Sequence, residues 1–264
     1  MLPRIVAIIQ ARMSSSRLPG KVLLDIAGES MLARVVARTS RATSVDQVLV
    51  ATTTDASDDP VTARCASTGI LYIRGGMQDV LDRYYQAAFQ AKAEVVVRIT
   101  GDCPVIDPVL IDECVTTLLE DSFDFTCNRL PPPFTRTYPI GLDTEVCTFA
   151  ALEKAWNKAT ETFHREHVMP FIYEDVSLVT ENRSLATGTS LRGFKIAQLH
   201  HDPNYGQMRW TVDTPEDLEF IQQVYARFDG RDDFSWQDVL ALLQREPELA
   251  AINSSVRHKT LYDK

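Results

Sequence analysis

The sequence predicts an α/β protein with a mostly parallel sheet flanked by helices, and three observations lead there. Apolar, β-branched runs at 5–9, 47–51 and 94–99 have the length and composition of buried strands. Segments of helical period stand between them, at 30–39 and 79–91. Over the first ~120 residues the runs and helices alternate at βαβ spacing, which sets parallel strands side by side and covers both faces.

Each element has its own signals. The run at 5–9 opens into QARMSSSRLPGK, a loop too rich in Ser, Pro and Gly to be regular. Ser30 stands as N-cap before Met31, Leu32, Val35 and Val36 at helical spacing. The strand at 47–51 ends in a polar loop whose Asp58 or Asp59 caps a helix starting near Pro60. A short strand at 70–73, an amphipathic helix at 79–91 and the strongly β-branched strand at 94–99 follow. From Phe123 the alternation breaks into a strand-like FDFT, a proline-rich loop at 128–141 and an alternating DTEVCT. The stretch 123–205 therefore reads as an excursion that covers the pocket or pairs with a second subunit, since loops of this length are usually functional. Helical period returns at 149–157 and 163–174, strands are expected at 195–199 and 209–212, and helices at 214–228 and 236–243.

Bulk numbers narrow the function classes. The 264 residues suit one domain spanning 1–264, and 45% hydrophobic content is ordinary for a globular core. With 36 acids against 27 bases, net −9, the chain lacks the basic footprint of a general nucleic-acid or membrane-surface binder. Five cysteines without a C-x-x-C pair suggest neither a disulfide framework nor a zinc knuckle. The run at 5–9 is too short for a signal-peptide core and no 18 apolar residues occur in succession, so a cytoplasmic protein is expected.

Ligands of open parallel sheets bind beyond the carboxyl ends of the strands, and those ends carry the unusual residues. After the first strand, Arg12, Arg17 and Lys21 are separated by small and kinked residues and can converge on one polyanion, with Ser16 adding a neutral donor; the other reading is a solvated loop whose cations pair with the chain's excess acids. After the 94–99 strand comes Thr100-Gly101-Asp102, and Asp213 closes RWTVD just before a helix. Two strand-end carboxylates beside a cationic loop suit Mg²⁺ bridging triphosphate oxygens, since Mg²⁺ takes one or two protein carboxylates and fills its shell with phosphate and water. A competing duty for Asp213 is to cap the next helix. Arg98, inside a buried strand, needs a partner there, either a ligand base or a carboxylate. Asp143 and Glu145, two apart on a strand, share a face that meets sugar hydroxyls or solvent.

Several of these stretches resemble one family. IIQARMSSSRLPGKVL, RITGDCPVIDP, GLDTEV, REHVMPFIY and RWTVDTPEDL are similar, in that order, to motifs of the cytidylyltransferases that make CMP-activated sugar acids. The resemblance is nearest to the spore-coat polysaccharide protein F branch, covers roughly residues 4–220, and places Ser14 where that branch commonly shows Gly. It implies a Rossmann-like, GT-A-like nucleotidyltransferase fold, CTP and a sugar or sugar acid as substrates, Mg²⁺ as cofactor and a homodimer. Arg12, Arg17 and Lys21 would hold the triphosphate, with Ser16, Arg98 and Thr100 beside it, and Asp102 and Asp213 would hold the metal. Arg165, Glu166 and His167 would serve the sugar pocket or a dimer contact, and Asp143 and Glu145 are placed on the sugar side. The reaction implied is attack of a sugar hydroxyl on the α-phosphate, which needs no protein nucleophile.

Other constellations fit less well. His164 and His167 are i, i+3, not the i, i+4 pair of an H-E-x-x-H zinc helix, even with His200, His201 and Asp202 in reserve. LPGK lacks the first Gly and final Ser/Thr of a Walker loop. A glycosyltransferase using a nucleotide sugar is the alternative enzyme, though no Asp-x-Asp occurs. A nucleotide-binding subunit without turnover is the alternative from another class.

Overall fold

A computed structural model describes residues 2–182 and 184–258. Its centre is a nine-stranded sheet in the order β5-β4-β1-β6-β8-β7-β11-β10-β9. The first half comprises β1 (Ile5–Gln10), β4 (Gln47–Thr53), β5 (Tyr72–Gly75) and β6 (Val95–Thr100), all parallel, as the βαβ spacing predicts. A small hairpin, β2 (Asp25–Ile26) with β3 (Glu29–Ser30), precedes helix α1 (Met31–Thr39), whose N-cap Ser30 accepts a hydrogen bond from Ala33 N as expected. Helices α2 (Asp59–Thr68), α3 (Val80–Gln90) and α4 (Pro108–Glu120) complete the crossovers.

The chain leaves β1 to build β4 on one side and β6 on the other, so the switch point of the sheet lies between β1 and β6. Gln10 and Thr100 are paired in register at their ends. A crevice opens there because the two connections depart in opposite directions.

Period-2 alternation divides the core between the two faces. Ile5, Ala7 and Ile9 of β1 pack with residues of α1 and α4, and Val6 and Ile8 pack with α3. Residues after Phe123 extend the same sheet through β7 (Phe125–Cys127), β8 (Glu145–Thr148), β9 (Val179–Asn182), β10 (Leu185–Thr189) and β11 (Lys195–Leu199). β8 runs antiparallel between β6 and β7. Helix α5 (Phe149–Lys158) follows it, and α8 (Pro215–Arg227), α9 (Trp236–Arg245) and α10 (Pro247–Ala251) close the chain over the first face.

Four expectations differ from the structure. The helix expected over 163–174 is two short ones, α6 (Thr162–His167) and α7 (Pro170–Tyr173), because Val168 adopts φ 72° and Pro170 cannot continue the first ladder. Residues 209–212 form no ladder strand; Arg209 makes only an isolated bridge to Ile140. The third strand is β5, two residues later than 70–73, on a sheet edge where Leu71 and Tyr72 stay exposed. Asp58 precedes α2 but its carboxylate makes no cap; it accepts instead from Thr53 N and Oγ1 and from Met13 N. Helix α4, which has apolar residues around most of its circumference, and the β9–β10 hairpin carried no periodic signal strong enough to be read.

Candidate functional site

The loop after β1 owes its shape to three backbone anchors. Met13 N donates to Asp58 Oδ1 at 2.7 Å, and Met13 O accepts from Ser15 N and Gly20 N, both at 2.9 Å. Gly20 takes φ 71°, a conformation open to glycine, and turns the chain into a 3-10 turn at Lys21–Leu23. Lys21 thereby points inward and is only 8% exposed.

The second wall comes from the end of β6. Gly101 N donates to Gln10 O at 2.8 Å, and a Cβ at Gly101 would lie 2.9 Å from that oxygen, so only glycine lets the two strand ends close so tightly. Asp102 follows. Its carbonyl accepts from Val212 N at 2.9 Å and Thr211 Oγ1 at 3.1 Å, which fastens the 209–213 segment beside it and brings Asp213 across.

The two carboxylates meet at one cation. Lys21 Nζ donates to Asp102 Oδ2 at 2.7 Å, to Asp213 Oδ1 at 2.8 Å and to Val212 O at 2.8 Å. Arg17 reaches Asp213 Oδ2 at 3.0 Å. Arg209 bridges Asp213 and the fully buried Asp217 at 2.8 Å each. Asp213 does not cap the following helix: Thr214 does, in a capping box with Asp217. Burial opposes ionisation of Asp213, but Lys21, Arg209 and Arg17 outweigh it and hold its pKa at about 2. For Lys21, burial favours the neutral amine, yet Asp102 and Asp213 together raise its pKa.

A cleft of about 280 Å³ collects eight of the residues singled out from sequence: Arg12, Ser16, Arg17, Lys21, Arg98, Thr100, Asp102 and Asp213. Arg12 is exposed on its wall and makes no ion pair among the described residues. Arg98 has its carboxylate partner in Glu145, on the adjacent β8, and stands 5.7 Å over the Tyr84 ring.

A second cavity of about 220 Å³ shares Arg98, Thr100, Asp102 and Asp213 with the first, and adds Arg129, Asp143, Glu145 and His258. Asp143 lies just before β8 rather than on it, yet both it and Glu145 border this cavity. Asp143 accepts from both terminal nitrogens of Arg136, Nη1 and Nη2, and is approached by Arg129 Nε at 3.8 Å; these cations overcome its burial and drive its pKa far below the usual range. Gly141, at φ 108°, lies against the Trp210–Thr211 backbone and fixes the cavity floor. His258 arrives from the segment after α10, with Nδ1 3.1 Å from Arg209 Nη1; burial and then Arg136 lower its pKa to about 4.

Two expected residues lie apart from both cavities. Arg165 is bound to Asp79, the N-cap of α3, at 3.0 Å and to Trp156 O at 2.7 Å, so it ties α6 to its neighbours. His167 stacks edge-on against Phe163 at 4.8 Å, half-buried, and burial lowers its pKa. His164 pairs with Glu174, whereas His200, His201 and Asp202 border a different groove beside α4. Among the described residues no group of three or more His, Cys, Asp or Glu could hold a metal, and the five cysteines are buried and free. Two carboxylates on one cation nevertheless match the donor set of a divalent ion that completes its shell with phosphate and water. Arg129, Arg136 and His258 were not legible: the first two sit in a proline-rich loop without period, and His258 has no motif around it. Among the described residues no helix is long and apolar enough to cross a membrane.

The cytidylyltransferase family model matches residues 6–242. Over 251 residues the chain is 30% identical to the spore coat polysaccharide biosynthesis protein SpsF of Bacillus subtilis, covering 93% of this chain and 96% of that protein. It is 29% identical over 248 residues to a 3-deoxy-manno-octulosonate cytidylyltransferase of Solibacter usitatus, covering 85% and 96%. The structure of a cytidylyltransferase from Leptospira borgpetersenii superposes with a TM-score of 0.83 at 28% identity, covering 97% of this chain and all of that one.

Proposed function

The chain belongs to the cytidylyltransferase family, and from that premise we propose that it transfers CMP from CTP to a hydroxyl of a sugar acid, with pyrophosphate leaving, using the two adjoining cavities as nucleotide and acceptor sides. It is a CTP-dependent nucleotidyltransferase of Rossmann-like fold. The observation that supports this assignment of sides is the convergence of Arg12, Arg17 and Lys21 with Asp102 and Asp213 in one cleft at the sheet's switch point. The cleft has cations for a polyphosphate on one wall and two carboxylates facing it. The acceptor side is the cavity bordered by Arg129, Asp143 and Glu145, because it opens onto the same two carboxylates from β8.

The acceptor hydroxyl attacks the α-phosphorus as the bond to pyrophosphate breaks, so catalysis is mostly positioning and charge neutralisation. Arg12 and Arg17 take the phosphate oxygens from the exposed side of the cleft. Lys21, held by both carboxylates, adds positive charge beside the departing pyrophosphate. Asp102 and Asp213 would hold a divalent metal, Mg²⁺ by the oxygen-only donor set, which when bound supplies positive charge to the α-phosphate and the attacking hydroxyl. Arg98, fixed by Glu145, lies where the two cavities meet and keeps both substrates in register.

The test supplies each nucleoside triphosphate with Mg²⁺ and a panel of sugar acids, and follows pyrophosphate. Release with CTP and a sugar acid is expected. No release with any acceptor, together with transfer from a nucleotide sugar, would replace this reading by a glycosyltransferase. Nucleotide binding without turnover in either assay would leave a binding subunit.

A further inference from the structure

The segment after α10 runs to the second cavity. Asn253, buried, donates to Arg209 O at 3.0 Å and to Asp217 Oδ1 at 2.9 Å, which anchors the segment on the residues that hold Asp213. Five residues on, His258 lies half-buried on the wall of the second cavity, with Arg129, Asp143 and Glu145 on the same lining. This residue lies outside the 6–242 stretch that the family model matches.

The imidazole is oriented by its neighbour. A guanidinium has no acceptor, so Arg209 Nη1 must donate to His258 Nδ1, and a neutral ring accepting there carries its proton on Nε2. That Nε2–H has no hydrogen-bond partner among the described residues. We propose that His258 is an acceptor-binding residue: held at Nδ1 by Arg209, it presents Nε2–H as a donor to an oxygen of the sugar acid in the second cavity. This makes His258 part of the acceptor side, and Arg209 joins it to Asp213. A ring that only donates cannot remove the attacking hydroxyl's proton, so the role is recognition and orientation. The inference rests on reading the second cavity as the acceptor side.

The test separates the two readings. Pyrophosphate release is measured with CTP, Mg²⁺ and free 3-deoxy-manno-octulosonate, N-acetylneuraminate, glucuronate and galacturonate. For any sugar that is turned over, His258→Ala should raise its KM about 10-fold, the scale of one missing hydrogen bond, and leave the KM for CTP within about 2-fold. His258→Gln, which keeps an N–H at similar reach, should recover part of the loss. An unchanged acceptor KM in His258→Ala overturns the proposal while nucleotidyl transfer stands. If none of the four is turned over, the ring itself decides. In ¹⁵N-labelled protein the His258 signals, identified by their loss in His258→Gln, should show the Nε2–H tautomer and move when one of the sugars is added with CTP. An Nδ1–H tautomer, or a ring signal that no sugar moves, overturns it.

Discussion

The ammonium of Lys21 stands 2.7 Å from Oδ2 of Asp102, which lies 81 positions further along the chain. Lys21 also bonds Asp213, so one cation from the opening loop fastens two carboxylates that arrive on different segments. Lys21→Ala and Asp102→Asn are each expected to lower turnover on the order of 10²-fold while circular dichroism stays unchanged, the scale of removing one charged group that stabilises a transition state. Near-normal pyrophosphate release by either variant would remove that residue from the site.

Acid should expose Asp213. Its folded-state pKa of about 2 lies below the ordinary 3.8, so its contribution to stability is complete above the unfolded value and is lost as pH falls through the folded one. Between about pH 5 and pH 2 the wild type is expected to lose on the order of 2 kcal/mol more unfolding free energy than Asp213→Asn. Urea denaturation across that range reads the difference, and parallel curves would refute it.

Arg209 and Arg17 both reach Asp213, but with different consequences for folding. Arg209→Met leaves the fully buried Asp217 without its cation and is expected to cost about 3 kcal/mol. Arg17, whose side chain is 31% exposed, should cost below about 1 kcal/mol when changed to Ala. Chemical denaturation of the two variants tests the ranking, and equal losses would contradict it.

Gly141 holds the floor of the second cavity at φ 108°, where a Cβ would lie 2.6 Å from Thr211 N and from Trp210 C. Those atoms are backbone and cannot swing aside, so Gly141→Ala is expected to destabilise by about 2–4 kcal/mol. Gly76, where a Cβ would meet nothing within 4 Å, is the matched control and should change stability by less than about 0.5 kcal/mol. Melting temperatures of the pair would decide.

The opening loop leans on Asp58. Asp58→Ala removes the acceptor of Met13 N, half-buried, and of Thr53, buried, and should cost about 1–3 kcal/mol. Because Met13 sets the path of residues 14–20, the KM for CTP should rise as well. A variant with lowered stability and unchanged KM would show that the loop keeps its shape without the tether.

Local residue order was enough to read the parallel half of the sheet and the residues that gather in the cleft at its switch point. Buried strands and amphipathic crossovers carry their periods in local residue order, and loops after parallel strands must gather at one rim. Hence eight residues read from Arg12 to Asp213 share a cleft. What lies beyond that cleft is set by three-dimensional packing. Arg165 went to Asp79 and Asp58 to Met13, because a side chain's partner depends on which elements the fold brings near. The 209–212 segment is held by Ile140 and Asp102 instead of a ladder, and Arg129, Arg136 and His258 meet Asp143 around one cavity or its rim. Such pairings are set by packing and charge in three dimensions, and no local period records them.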